Sequence, residues 1–335
     1  MKKKIQILVI GVGSIGKRHI RNLKKIGISA NNILAIDTRK DRLDEVRSLG
    51  VKKCFSSIYE VKKEEFDAAI ICSPTSLHVN QCLWLAKRKK HLLIEKPLSH
   101  NSKDLIKLKK AIVNNKVVTM IAYIFRFHPG VILAKKILDK NQIGKKLYFR
   151  GEFSEYLPDW HPYENYRKFY MAKKKQGGGS ILDQCHIMDL SHFLMGEFKD
   201  IVCLNTKKSK LDINADDISE LIVNNKNGSI SSIHTDIFGR KHSKYFEIKA
   251  EKGNLRWDFY KNTLEVYFSK NKKIKIYKFR KDFNLSYIDE IKHFIDCVMK
   301  RKLKTNIPYD VGFSTMKLIN AAEISYKTGK RKLVI

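Results

Sequence analysis

A length of 335 residues suits about two domains, and a composition of 43% hydrophobic and 30% charged residues excludes global disorder. The longest apolar runs, such as Ile7 to Ile10 and Ala68 to Cys72, fall far short of the roughly 18 residues of a membrane span, so no membrane partner is expected. The net charge is +33, yet of 67 basic residues 53 are Lys and 14 are Arg, dispersed from Lys2 to Lys332. Nucleic-acid recognition favours the planar guanidinium beside stacking aromatics, so the excess reads as solvated lysine in an Ile- and Asn-rich chain, and no nucleic-acid partner is expected. Attraction of an anionic small substrate survives that argument.

The basic start Met1-Lys2-Lys3-Lys4 leads into an apolar run that Gly11 interrupts, with no small-residue cleavage site; it is not a secretory signal, and the chain is expected in the cytoplasm. The six cysteines, Cys54, Cys72, Cys82, Cys185, Cys203 and Cys297, show neither CxxC pairing nor finger spacing. They read as small apolar residues in a reducing compartment, with no disulfide framework and no metal site.

In chain order, Ile5 to Ile10 predicts a strand buried on both faces, ending at Gly11-Val12-Gly13-Ser14-Ile15-Gly16, with a helical pattern through Ile20, Leu23 and Ile26. A second strand, Ile33 to Ile36, ends at Asp37, 21 residues beyond Gly16. Each residue has a mechanical task in dinucleotide binding: Gly11 for the tight turn, Gly13 for backbone approach to a pyrophosphate, Gly16 for helix-to-strand packing, Asp37 for the ribose hydroxyls. The amides of Ser14 and Ile15, at the helix N-terminus, face the phosphates. Asp37 repels a 2′-phosphate and favours NAD, while Thr38-Arg39-Lys40 leave NADP open. Strands Ala68 to Cys72, Leu92 to Glu95 and Val117 to Tyr123 alternate with helices Ser76 to Ala86 and Ser102 to Ile112, the signature of a doubly wound parallel sheet. Ligands then sit at the strands' carboxyl ends, which carry Ser73, Pro74 and His78, and Glu95-Lys96-Pro97. Beyond Gly196 the pattern changes to short β-branched runs: Ile201 to Leu204, Ile218 to Val223, Ser229 to Ile237, Tyr245 to Ala250, Leu264 to Phe268 and Ile274 to Phe279. Turns such as Asn227-Gly228 separate them, as a meandering antiparallel sheet requires, and helices are predicted at Tyr287 to Met299 and Gly312 to Tyr326.

GVGSIGKRH at 11–19, CSPTSLH at 72–78, EKP at 95–97, RFHP at 126–129 and GGGSILDQCH at 177–186 occur in the order typical of the Gfo/Idh/MocA oxidoreductases, and the chain resembles that family over its whole length. The segment Tyr156-Leu157-Pro158-Asp159-Trp160-His161-Pro162 with Tyr166-Arg167 also resembles a subgroup linked to bacterial surface-sugar synthesis. The resemblance implies an α/β fold with an N-terminal Rossmann domain, 1–124, that binds NAD(P), and a C-terminal α+β domain, 125–335, with a large, mostly antiparallel sheet for substrate binding and oligomerisation. The C-terminal helix is a candidate to pack back on the Rossmann domain. It further implies a homodimer or homotetramer joined through the C-terminal sheets, and hydride transfer between the nicotinamide and a sugar, sugar acid or nucleotide sugar.

By the same resemblance Lys96 stabilises developing charge on the reacting oxygen. The amphipathic segment Ile181 to Leu194 is predicted as one helix that puts Asp183 and His186 on one face, with the carboxylate orienting a candidate base; the family's usual spacing is four residues and here it is three. Arg126, Tyr156, Trp160, His161, Tyr166 and Arg167 are candidates to grip a sugar, or the aromatics seal a subunit or domain contact instead. Two other functions fit the same scaffold: a reductase of a non-sugar carbonyl or imine, and a non-catalytic dinucleotide sensor. Lys96, Asp183 and His186 together argue against the sensor, because a protein that only binds needs no proton acceptor.

Overall fold

The computed structural model describes residues 5–160, 162 and 164–335. These form two compact units: residues up to 99 with 103–124 and 284–313, and residues 100–102 with 125–283 and 314–335.

The first unit begins β1 (Ile7–Ile10), α1 (Ser14–Lys25), β2 (Ile33–Ile36), α2 (Lys40–Ser48), β3 (Lys53–Phe55), β4 (Ala68–Ile71), α3 (His78–Lys87), β5 (His91–Ile94), α4 (Leu105–Asn114) and β6 (Thr119–Ile121). Its six strands are parallel in the order β3-β2-β1-β4-β5-β6, the doubly wound order whose switch point lies between β1 and β4. The runs ILVI, ILAI and AAII carry no polar alternation because helices cover both faces, and every residue in them is buried.

The second unit runs α5 (Pro129–Asp139), β7 (Lys146–Tyr156), α6 (Ser180–Asp183), α7 (His186–Met195), β8 (Phe198–Thr206), β9 (Ile218–Asn225), β10 (Ile230–Asp236), β11 (Phe238–Ala250), β12 (Gly253–Asp258), β13 (Thr263–Phe268) and β14 (Lys273–Lys278). The chain then forms α8 (Asn284–Met299), which belongs to the first unit, α9 (Tyr309–Thr328), within which the unit boundary falls, and β15 (Lys332–Leu333) in the second. The nine-stranded sheet is ordered β14-β13-β12-β11-β7-β10-β9-β8-β15, and β7 pairs parallel to β10 while its other pairs are antiparallel. Strands β3, β7 and β12 carry no run singled out in the sequence. The central strand β7 alternates Phe149, Gly151 and Phe153 inward with Arg150 and Glu152 outward, so its apolar content is only half of its length. Gly151 is required where α7 crosses it, since a Cβ there would stand 2.6 Å from the Ile187 side chain.

His128, from RFHP, shows how the inner face tolerates a polar group. It caps α5: its Nδ1 accepts from the Gly130 amide at 3.0 Å and from Trp257 Nε1 at 3.3 Å, inside a ring of Trp257, Phe259, Phe279 and Phe283. A nitrogen that accepts two hydrogen bonds cannot also carry a proton, and burial lowers the imidazole to about 4. A folded pKa below the ordinary histidine value means that this group's stabilisation is complete above about pH 6.5 and is lost as pH falls from there toward 4. We expect it to account for up to about 3 kcal/mol of the acid destabilisation. Urea unfolding at pH 7 and pH 4.5 checks this: His128→Gln should narrow the difference by at least about 1 kcal/mol, and an unchanged difference refutes the assignment.

Candidate active site

In the first unit the glycine loop is set by backbone contacts. Gly11 has φ of +84°, and a Cβ on it would meet the Cys72 carbonyl at 2.7 Å; a Cβ on Gly16 would stand 2.0 Å from the Gly11 oxygen. No side chain caps the start of α1 at Ser14 and Ile15, and no acid occupies its first turn, so the helix N-terminus is free of competing negative charge. Asp37 is buried, and its carboxylate accepts from the Val12 amide at 2.8 Å and the Arg39 amide at 3.0 Å. These observations fit a dinucleotide: a cradle closed to any Cβ, an uncapped helix end and a fixed ribose-level carboxylate. Thr38 is exposed, and the Arg39 guanidinium turns away to pair with Asp41, whose carboxyl that hydrogen bond lowers to about 2. The cation beside Asp37 is Arg42, with Nη1 3.8 Å from its carboxylate and 3.5 Å from where a Gly13 Cβ would lie. No motif had marked it.

Ser73 donates to Gln81 at 2.6 Å, next to Pro74, and the buried His78 ties the strand ends together, its ring nitrogens 3.0 Å from the Pro97 oxygen and 2.9 Å from the Ser73 oxygen. Glu95 faces inward: its Oε1 lies 2.8 Å from His19 Nε2, and its Oε2 accepts from the Lys96 amide at 3.3 Å. Lys96, half-buried, therefore leaves the end of β5 on a backbone that its neighbour's carboxylate holds. Burial pushes the nearby Cys72 thiol well up, and burial with the Glu95 charge does the same to Glu290.

In the second unit the segment that carries Asp183 and His186 has a different local form from the predicted one. The helix is broken: α6 ends at Asp183, Gln184 and Cys185 make a turn, and α7 starts at His186. Tyr170 donates to Asp183 Oδ1 at 3.0 Å, and the Phe125 ring meets His186 edge-on at 4.9 Å. Arg126 is committed to a bidentate pair with Asp189, at 2.9 and 2.7 Å, with both side chains buried. Trp160 and Tyr166 pack, with Tyr156, against a small core of Leu157, Phe169, Met171, Leu211, Ile213 and Ile237. Tyr166 accepts from the Asp212 amide at 3.1 Å, and the exposed Arg167 pairs with the Asp212 carboxylate at 2.8 Å. His161 lies outside the described residues.

Beside the Asp183–His186 turn stands a cluster that the sequence did not suggest. Glu155, the next inward position of β7 after Phe153, accepts from Lys244 Nζ at 2.9 Å, Gln184 Nε2 at 3.1 Å and the Tyr260 hydroxyl at 2.9 Å. Burial opposes the Glu155 charge, but the Lys244 ammonium, with these hydrogen bonds, holds its carboxyl below the usual range. One lysine among 53 carries no signal of its own; its place in the inward register with Phe246 and Ile248 would have been the only clue.

Two family models match the chain: the oxidoreductase family with an NAD-binding Rossmann fold over residues 5–123, and the GFO/IDH/MocA C-terminal domain over residues 131–256. Together they span most of its length, and the chain belongs to the Gfo/Idh/MocA oxidoreductases, the NAD-binding class that its first sheet defines. It is 28% identical over 307 residues, 87% of each chain, to a myo-inositol 2-dehydrogenase of Thermotoga maritima. It is 30% identical over 153 residues, 45% of each chain, to an NAD-linked scyllo-inositol 2-dehydrogenase of Bacillus subtilis. The fold is shared with a levoglucosan dehydrogenase solved with NADH, TM-score 0.88 at 19% identity over 99% of both chains. It is also shared with the WlbA dehydrogenase of Bordetella pertussis solved with NADH and UDP-GlcNAcA, TM-score 0.81 at 20% identity over 99% of both. Among the described residues no helix is long and apolar enough to cross a membrane.

The Asp37–Arg42 arrangement predicts cofactor choice. Asp37→Ser should remove the charge that repels a 2′-phosphate and leave Arg42 to attract it, shifting the NADPH-to-NADH affinity ratio upward by about tenfold or more. Fluorescence titration with both nucleotides reads this directly, and an unchanged ratio refutes the roles given to both residues. In the other unit, Arg126→Met should strand the buried Asp189 carboxylate and cost about 3 kcal/mol in denaturant unfolding, with NADH affinity unchanged. A stability loss under about 1 kcal/mol would mean that the pair is structurally idle.

Proposed function

We propose that this enzyme transfers a hydride between NAD and a hydroxyl-bearing carbon of a sugar, sugar acid or nucleotide sugar. The observation that carries the reading is the glycine loop with its uncapped helix and fixed Asp37 in one unit, and an acid–imidazole turn beside a polar, partly open cluster in the other. Residues Gly11, Gly13, Ser14, Ile15, Gly16 and Asp37 would hold the cofactor, and Ser73, Pro74, His78 and Glu95 would shape the strand ends against which it lies. When bound, the nicotinamide supplies the hydride acceptor or donor.

The chain's own residues supply the proton chemistry. His186 accepts the hydroxyl proton as the C–H bond breaks, Asp183 favours the imidazolium that results, and Tyr170 fixes the carboxylate by its hydrogen bond. Lys96 donates a hydrogen bond to the oxygen as negative charge develops there. The first unit is the nucleotide-binding domain and the second the substrate domain. The relatives named for inositols and levoglucosan, and the structure holding UDP-GlcNAcA, support a polyhydroxylated substrate. The six free thiols suit the reducing cytoplasm.

We also infer that the chain is a homo-oligomer joined through the open face of the nine-stranded sheet. Register carries one outward row across eight strands: Val202, Ile222, Ser232, Arg150, Glu247, Arg256, Glu265, Ile276. Its four central charges alternate in sign, with apolar ends that are about half exposed, and on a chain of net charge +33 it contains no lysine. In the next row His234 is held near 9 by Asp236 and Glu220 against the effect of burial, so it is a cation between carboxylates. The face measures about 40 by 20 Å, on the order of 800 Å², the area each partner gives to a standard interface. An alternating row meets a copy of itself across a two-fold with opposite charges facing.

Two experiments test these readings. Lys96→Ala should lower turnover at least a thousandfold on any sugar that the wild type oxidises, with NADH binding within about twofold; a variant that keeps most of its rate refutes the role. Light scattering after size exclusion should give a dimer or tetramer for the wild type and a monomer for Val202→Lys/Ile222→Lys. A monomeric wild type overturns the interface.

A further inference from the structure

We propose that Glu155 and Lys244 form a subsite that clamps two neighbouring hydroxyls of the substrate, and that this uncharged diol, not an acidic group, is what the second unit recognises beside the reacting carbon. The proposal rests on the sugar reading above.

Three observations carry it. The first is valence. A carboxylate has about four acceptor positions, and Glu155 uses three, two on Oε2 for Lys244 and Gln184 and one on Oε1 for Tyr260. An ammonium has three donors, and Lys244 spends one on Glu155 while the rings of Phe125, Phe153 and Phe259 stand 5.5–6.0 Å from its Nζ. One acceptor on Oε1 and two donors on Nζ are left on these paired side chains, which suits two adjacent hydroxyls of a pyranose: one donates to Glu155 and its neighbour accepts from Lys244.

The second is access. Side-chain exposures of 14% and 15% leave this pair open to a ligand, whereas the other buried pair of the same unit, Arg126–Asp189, is sealed at 7% and 1%. The third is location. Gln184 sits in the turn that joins Asp183 to His186, and the Phe125 ring lies 4.9 Å from the His186 ring and 6.0 Å from the Lys244 ammonium. Hydroxyls held by the pair are therefore held next to the candidate base. The choice of a diol over a carboxylate follows from charge: the pair is already neutral, and a substrate anion that approached Lys244 would also approach the ionised Glu155.

The test uses the full chain loaded with NADH and isothermal titration with glucose, glucuronate, UDP-glucose and UDP-glucuronate, together with the monodeoxy analogues of whichever binds most tightly. Single replacements of a buried pair strand a charge and can unfold the protein, so the informative variant is Lys244→Met/Glu155→Gln, which removes both charges while keeping the shapes. Expected are a melting temperature close to the wild type, unchanged NADH affinity and at least tenfold weaker sugar binding. The penalty for removing one of the two clamped hydroxyls, clear in the wild type, should disappear in the variant. Sugar binding that the double replacement leaves unchanged overturns the clamp and leaves the sugar reading standing. A wild type that binds NADH but none of the four sugars overturns the sugar reading and the clamp with it.

Discussion

Both units depend on how closely a helix can approach the sheet beneath it. In the first, Gly16 lets α1 descend onto the turn after β1, with no room for a single methyl. In the second, Gly151 lets Ile187 of α7 settle into the middle of β7. Each contact fixes the start of a helix against its sheet: the uncapped amides of Ser14 and Ile15 at the end of β1, and the His186 end of α7 over the middle of β7. A side chain at either glycine would push the helix outward and move the chemistry with it, because interiors are packed too densely to absorb an added methyl locally.

What could be seen from the residues alone follows from how each element is buried. Strands covered on both faces, such as Ile7 to Ile10 and Ala68 to Ile71, are short uninterrupted apolar runs, and the glycine loop between such a run and a helix is nearly unmistakable. The strand that organises the second sheet, β7, was invisible for the opposite reason. Only its inward residues are apolar, one of them is Gly151, and the series ends in Glu155. The broken helix at 183–186 was equally hidden: Ile181, Leu182, Ile187 and Leu190 suit one continuous amphipathic helix, and the turn at Gln184 becomes intelligible only once its amide is seen donating to Glu155.

Residue type misled in both directions. Arg39, two residues beyond the ribose-level acid, was the candidate to meet a cofactor phosphate, but its guanidinium pairs with Asp41, and the cation beside Asp37 is Arg42, one helical turn further on. Arg126 lies in a family-like motif and serves Asp189. Lys244 lies in no motif, and its strand position brings its ammonium to the Phe125 ring that also meets His186. In a chain with so many lysines, position relative to an apolar face is informative and residue identity is not.

The charge excess becomes intelligible on the same terms. Lysine is abundant where it is solvated and absent from the alternating row on the open sheet face, where a like-charged copy could not be tolerated. Arg126 and Lys244 each sit where a carboxylate and aromatic rings replace water, and there the degree of closure separates two tasks. Arg126 and Asp189 satisfy each other bidentately and are shut off from solvent, so their pairing is complete without a ligand. Glu155 and Lys244 share one contact, keep donors and an acceptor in reserve and stay within reach of solvent. A pair that served the fold alone would gain by closing, since unused hydrogen-bonding capacity at a partly buried charge is a standing cost. That this one stays open beside His186 is the physical reason to regard it as part of the working surface.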